Sequence, residues 1–169
     1  MLVQERRKFA TLRKLRVYLD TSVISHLDQQ DSPEYMQITK KFWEELKQGK
    51  YNVYISSTVI TELNKCKEPK RSRLLEYMSQ IELTRVEINR QVLELAQRYV
   101  NEYIIPSRFF DDAVHIAVAS INECDILVSW NFKHIVRYKT IQGVNAINKL
   151  MGYREIQLVS PLMMLEVEE

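Results

Sequence analysis

Short apolar runs separated by stretches of helical periodicity organise this chain. The runs fall at 16–20, 52–56, 83–86, 126–129 and 156–159 and are rich in Val, Ile, Leu and Tyr, the length and composition of strands. Between them, apolar residues recur at three- and four-residue spacing. Tyr35, Ile38, Phe42 and Leu46 do so after Ser32-Pro33-Glu34, a capping residue with proline at the first helical position. That helix is expected to stop near Gly49. A second helix follows the 52–56 run and carries Glu62. Pro69 opens another, with Leu74, Leu75, Met78 and Ile81 as its stripe, and 89–103 turns Val92, Leu95, Ala96, Tyr99 and Val100 inward. Ser107 is placed to cap the small-residue helix beyond it. Further helical stretches are expected at 133–138 and 146–151. Strands alternating with helices give a parallel sheet covered on both faces. The fold class is therefore α/β, a three-layer α/β/α arrangement with a central parallel sheet of about five strands.

Composition narrows the picture. At 169 residues, 46% hydrophobic and 27% charged, the chain has the size and balance of one folded domain. We divide it into a basic N-terminal arm at 1–15, with Arg6, Arg7, Lys8, Arg13 and Lys14, and one domain at 16–169. The net charge of +2 means that any footprint for nucleic acid must be local rather than global. Cys66 and Cys124 have neither metal-ligand spacing nor disulfide density. They read as free thiols of a reducing compartment. No apolar stretch approaches the roughly 20 residues of a membrane span. The expected location is cytoplasmic.

The chemistry lies at the ends of the runs. Asp20 follows Val17-Tyr18-Leu19, Glu62 lies on the helix after 52–56, Asp112 opens the small-residue helix, and Asn131 follows Ile126-Leu127-Val128-Ser129. Groups so placed converge at one edge of a parallel sheet, where open α/β folds bind ligands. Acids gathered there repel one another unless a cation neutralises them, which points to a divalent-metal site. Each residue also has a plainer reading. Asp20 and Asn131 are good caps, Glu62 is a surface glutamate, and Asp111 and Asp112 answer a helix dipole. His115 reads as a hydrogen-bonded structural residue, whereas His134 is as well placed for structure as for proton transfer.

The motifs Val17-Tyr18-Leu19-Asp20-Thr21-Ser22, Thr61-Glu62-Leu63 and Asp112-Ala113-Val114-His115-Ile116-Ala117 carry a family resemblance, with Leu127-Val128-Ser129-Trp130-Asn131-Phe132-Lys133-His134-Ile135 and the tail from Ile147-Asn148 to Pro161. In order and spacing they resemble the PIN-domain family of metal-dependent nucleases, which includes the VapC-type toxins. The resemblance covers 16–165. It implies that Asp20, Glu62 and Asp112 are acidic ligands of Mg²⁺ or Mn²⁺, with Ser22 and Ser129 as polar supports. Many family members carry Asp at the position of Asn131, so one negative charge is missing here. The resemblance also implies an RNA substrate, an antitoxin protein as partner, and a homodimer.

Two basic groups adjoin the proposed site in sequence. Lys65, Lys67, Lys70, Arg71 and Arg73 follow Glu62, and Lys133, Arg137 and Lys139 follow Asn131. They are either phosphate grips along an RNA track or a solvated surface. The leading expectation is an endoribonuclease that hydrolyses phosphodiester bonds. A PIN-like RNA- or protein-binding module, catalytically weakened at Asn131, is the alternative. A haloacid-dehalogenase-type phosphohydrolase would need Asp where Ser22 stands, and a dinucleotide enzyme would need a glycine-rich turn that no strand precedes.

Overall fold

The computed structural model describes residues 13–166. Strand β1 (Arg16–Leu19) leads into a short helix α1 (Thr21–Ser25) and a 3₁₀ turn (His26–Asp28). Helix α2 (Pro33–Lys47), strand β2 (Asn52–Ser56), helix α3 (Ser57–Leu63), helix α4 (Lys70–Met78) and strand β3 (Leu83–Val86) follow. Then come helix α5 (Arg90–Asn101), a 3₁₀ turn (Ser107–Phe109), helix α6 (Phe110–Ile121) and strand β4 (Ile126–Val128). Helix α7 (Tyr138–Leu150), strand β5 (Gln157–Val159) and helix α8 (Pro161–Met164) complete the order.

All five strands are parallel, in the order β3-β2-β1-β4-β5. The central position of β1 explains its sequence. Val17, Tyr18 and Leu19 are all fully buried, because a strand flanked by neighbours and covered on both faces has no solvent side. Parallel pairing puts the carboxyl ends of β1, β2 and β4 at one edge. Tyr18 is in register with Tyr54 and Leu127, so Asp20, Ser56 and Ser129 leave the sheet side by side. Helix α6 lies close to the sheet because Ala113, Ala117 and Ala119, all fully buried, leave no bulk between backbones. Among the described residues no helix is long and apolar enough to cross a membrane.

Three local expectations change. The inner face of α2 is Met36, Thr39, Phe42, Trp43 and Leu46, while Tyr35 is 39% exposed. The stripe rotates because buried Thr39 is satisfied: its hydroxyl donates to the Tyr35 carbonyl (2.6 Å) and accepts the Trp130 indole N–H (2.8 Å). Of the stretch 133–138, residues 133–137 are turn rather than helix. Asn131 closes it, its carbonyl accepting from the N–H groups of Ile135 and Val136. The helix beyond begins at Tyr138, and 146–151 covers only its last turns; Thr140 and Gly143 weaken its local helical signal. Ser107 lies in the 3₁₀ turn and does not cap α6. Most of the expected N-terminal arm, residues 1–12, lies outside the described residues.

At the opposite edge of the sheet, Asp125 gathers the chain. Its carboxylate accepts from the Arg16 backbone N–H (2.8 Å), Arg13 Nη2 (2.7 Å) and Arg154 Nη2 (2.9 Å). Burial pushes its carboxyl up, but these donors outweigh burial and hold it below the usual carboxylate range. Asp125→Ala should therefore lower stability by about 1–3 kcal/mol at pH 7. A depressed carboxyl gives stability that is present above its unfolded pKa and disappears as pH falls through the lower folded value. Urea titrations of wild type and variant should thus show a constant gap at neutral pH that narrows below about pH 4.

Candidate functional site

The carboxyl edge of the sheet carries three acids, each held by donors from a distant part of the chain. Asp20 caps α1: one oxygen accepts the Ser22 N–H and the other accepts the Ser129 hydroxyl. Ser129 in turn accepts the Asn131 N–H (2.9 Å), and Ser22 Oγ accepts the Trp130 N–H (2.9 Å). The two serines thereby tie the start of α1 to the end of β4, and Asp20 is only 5% exposed.

Glu62, near the end of α3, accepts from the Thr21 hydroxyl and lies 3.3 Å from His115 Nε2. Asp112, in the first turn of α6, lies 2.8 Å from His134 Nδ1. Both carboxyl groups are more open than that of Asp20, with side-chain exposures of 25% and 21%. Burial pushes the Glu62 carboxyl up, but the hydrogen bond and charge of His115, helped by Thr21, bring it below its ordinary value. Asp112 goes the other way. Burial raises it, the nearby charge of Asp20 adds to the rise, and His134 offsets only part.

His115 sits beneath the acids. Its imidazole is buried, which alone would lower its pKa, yet the Glu62 hydrogen bond and the charges of Asp20, Glu62 and Asp112 raise it. Nδ1 lies 2.7 Å from the Tyr18 hydroxyl, which lies 2.8 Å from Ser56 Oγ. A carboxylate only accepts, so Nε2 carries the proton toward Glu62. With neutral imidazole the chain then runs Ser56 to Tyr18 to Nδ1; with imidazolium it reverses, Nδ1 donating to Tyr18 and Tyr18 to Ser56. Burial keeps the Tyr18 phenol well above its usual pKa, so it stays a donor.

Asn131 stands beside the acids without turning its amide oxygen to them. That oxygen accepts the His134 N–H (2.9 Å), so Asn131 sets the turn that aims His134 at Asp112. Lys65 lies near Glu62, in a shallow depression with Ser57, Thr61 and Asp111. Lys70 donates to Gln29 Oε1 (2.6 Å), Arg71 pairs with Glu68 (2.9 Å), and Arg73 pairs with Asp28 (2.8 Å). Lys67 and Lys133 are exposed.

Several participants have no motif of their own. Thr21 stands in the sequence only as the residue after Asp20. Arg108 lies over the Phe109 ring (4.8 Å), whose centroid is 3.8 Å from that of His134, and it lines a depression with Glu62, Asp111 and Asp112. A cation-aromatic-histidine stack next to an acid has no local sequence period. Its one trace is the Arg-Phe-Phe-Asp-Asp order at 108–112.

The stretch 17–134 matches the family model of the PIN domain. This chain belongs to the PIN-domain family. PIN domains are in general nucleases and typically use divalent metal ions, and membership points to RNA as a partner. Among curated proteins none matches this chain. In this PIN domain the three acids do not form a closed ligand cluster: among the described residues no group of three His, Cys, Asp or Glu side chains stands ready to hold a metal ion. Each acid is engaged by its own donor instead.

Tyr18→Phe removes the centre of the buried chain and strands Ser56 Oγ and His115 Nδ1. The expected cost is about 1–3 kcal/mol, seen as a fall in Tm of about 2–12 °C. An unchanged Tm would show that the chain is not made.

Proposed function

We propose that the protein is an endoribonuclease dependent on Mg²⁺ or Mn²⁺, with Asp20, Glu62 and Asp112 as the metal ligands. One observation carries this reading: at the carboxyl edge of the sheet of a PIN domain, three carboxylates from different elements are each fixed by hydrogen-bonding partners, Asp20 by Ser22 and Ser129, Glu62 by Thr21 and His115, and Asp112 by His134. The donor chemistry fits a hard divalent cation, which prefers carboxylate oxygens. When bound, such a cation neutralises the cluster, polarises a phosphodiester oxygen and makes a bound water more acidic. The chain's own residues supply orientation. Ser22 and Ser129 fix Asp20, Thr21 and His115 fix Glu62, and His134, aimed by Asn131, fixes Asp112.

Lys65 on one side of Glu62 and Arg108 on the other are placed to bear on backbone phosphates. Exposed Lys67 and Lys133 would add to this contact, and Lys70 and Arg71 would join it by exchanging Gln29 and Glu68 for phosphate. The finer reading is a toxin paired with an antitoxin protein, acting in the cytoplasm as a homodimer. It follows the family resemblance alone. A second reading, an RNA- or protein-binding module, is favoured by Asn131, whose oxygen serves the His134 N–H and brings no charge to the site.

Cleavage of a mixed-sequence single-stranded RNA decides between them. The nuclease should cut with Mg²⁺ or Mn²⁺ and stop with EDTA. In folded Asp20→Asn the rate should fall about 100-fold or more. Wild type that binds RNA and leaves it intact under all metals would establish the binding module.

A further inference from the structure

Beside the acids lies a group of rings that the nuclease reading does not use. Tyr35 of α2 stacks on Trp130, with centroids 4.3 Å apart and planes at 14°. Phe132 meets Trp130 edge-on at 6.0 Å and lies 6.3 Å from Tyr35, and the His26 ring closes the group at 5.9 Å from Trp130. Trp130 is nearly buried at 7%, but Tyr35 and Phe132 are 39% and 45% exposed. Two large rings thus face solvent on a third that cannot move. The Trp130 indole N–H donates to Thr39 and its backbone N–H to Ser22 Oγ, while the carbonyl of Ser22 meets His26 Nδ1 at 2.7 Å.

The same Ser22 holds Asp20 through its N–H. The ring group is therefore fixed to the acid site by the hydrogen bonds that orient the first carboxylate. Phe132 is three residues past Ser129, which puts their Cα atoms within about 11 Å. Exposed Lys133 and Arg137 follow on the same turn, and Arg137 Nη1 donates to the Lys133 carbonyl (3.2 Å).

We propose that Tyr35 and Phe132, mounted on Trp130, form a stacking platform for an unpaired nucleobase next to the scissile phosphate. The proposal rests on reading the adjoining carboxylates as an RNA site and narrows its substrate to single-stranded RNA. Stacking on aromatic rings is tolerant of base identity and needs the base out of a helix. The cations beside the rings suit the phosphates flanking such a base. A protein partner is the poorer occupant: a stable contact buries about 1,000 Å² or more, far beyond two partly exposed rings set on the rim of a polar site.

The test is binding without turnover. Fluorescence anisotropy in EDTA would compare a mixed-sequence single-stranded RNA with the same strand carrying abasic sites and with a duplex. Wild type should bind the intact single strand most tightly. Tyr35→Ala and Phe132→Ala, with folding confirmed by circular dichroism, should each weaken that binding about 5- to 150-fold and barely change binding of the abasic strand. Tyr35→Phe, which keeps the ring, should restore affinity. Equal binding of intact, abasic and duplex RNA by wild type overturns the platform, as do alanine variants with wild-type affinity. So does loss of self-association in those variants by sedimentation with RNA binding intact, since the rings would then belong to a protein contact. Because no metal is present, the outcomes separate. Ring-dependent binding by a protein that never cuts retains the platform and removes the nuclease; metal-dependent cutting with ring-independent binding does the reverse.

Discussion

Like charges gathered at one edge of a parallel sheet must be held there against their own repulsion, and the arrangement around them follows from that requirement. Asp20, Glu62 and Asp112 are each restrained by a donor that arrives from elsewhere in the chain: Ser129 from the end of β4, His115 from within α6, His134 from the turn before α7. Hydrogen bonds to ionised groups contribute about 1.5–3 kcal/mol each, enough to fix carboxylates that would otherwise swing toward water. The positions of α3, α6 and the turn after β4 are thus set by the acids as much as by the apolar core.

His115 shows how closely structure and chemistry overlap here. Its burial suits the structural reading, and its contacts with Tyr18 and Glu62 satisfy both ring nitrogens. The same contacts set it directly beneath Glu62. A helix of alanines around it permits this. Larger side chains at Ala113 or Ala117 would push α6 off the sheet and withdraw the imidazole from Tyr18.

Much of this was legible in the sequence. The runs at 52–56 and 83–86 coincide with β2 and β3, and parallel topology followed from strand-helix alternation. The acids stood out because each ends or follows a run, and a short apolar run is a local signal. Their partners did not. Ser129 is 109 residues from Asp20, and Glu62 is 53 from His115; no periodicity reports a contact across such a gap. Tyr35 looked like a core residue because its spacing fits the α2 stripe. The buried face of α2 instead runs through Thr39, tied to Trp130 across 91 residues, and leaves Tyr35 outside. Asn131 suits both a cap and a site residue. Its cap contacts are local, which is why that reading could be made from sequence at all.

The strand order has a consequence for how the molecule comes into being. Strand β1 has its neighbour β2 close behind it in the chain, but its other neighbour, β4, begins at Ile126. A chain growing from its amino end carries Asp20 and Glu62 long before Asp112, His134 and Ser129 exist. Until β4 slots in beside β1, Asp20 has no Ser129 to hold it, and the edge has neither its third acid nor its imidazole restraints. The three acids are thus brought together and held only once β4 and the turn beyond it have joined β1.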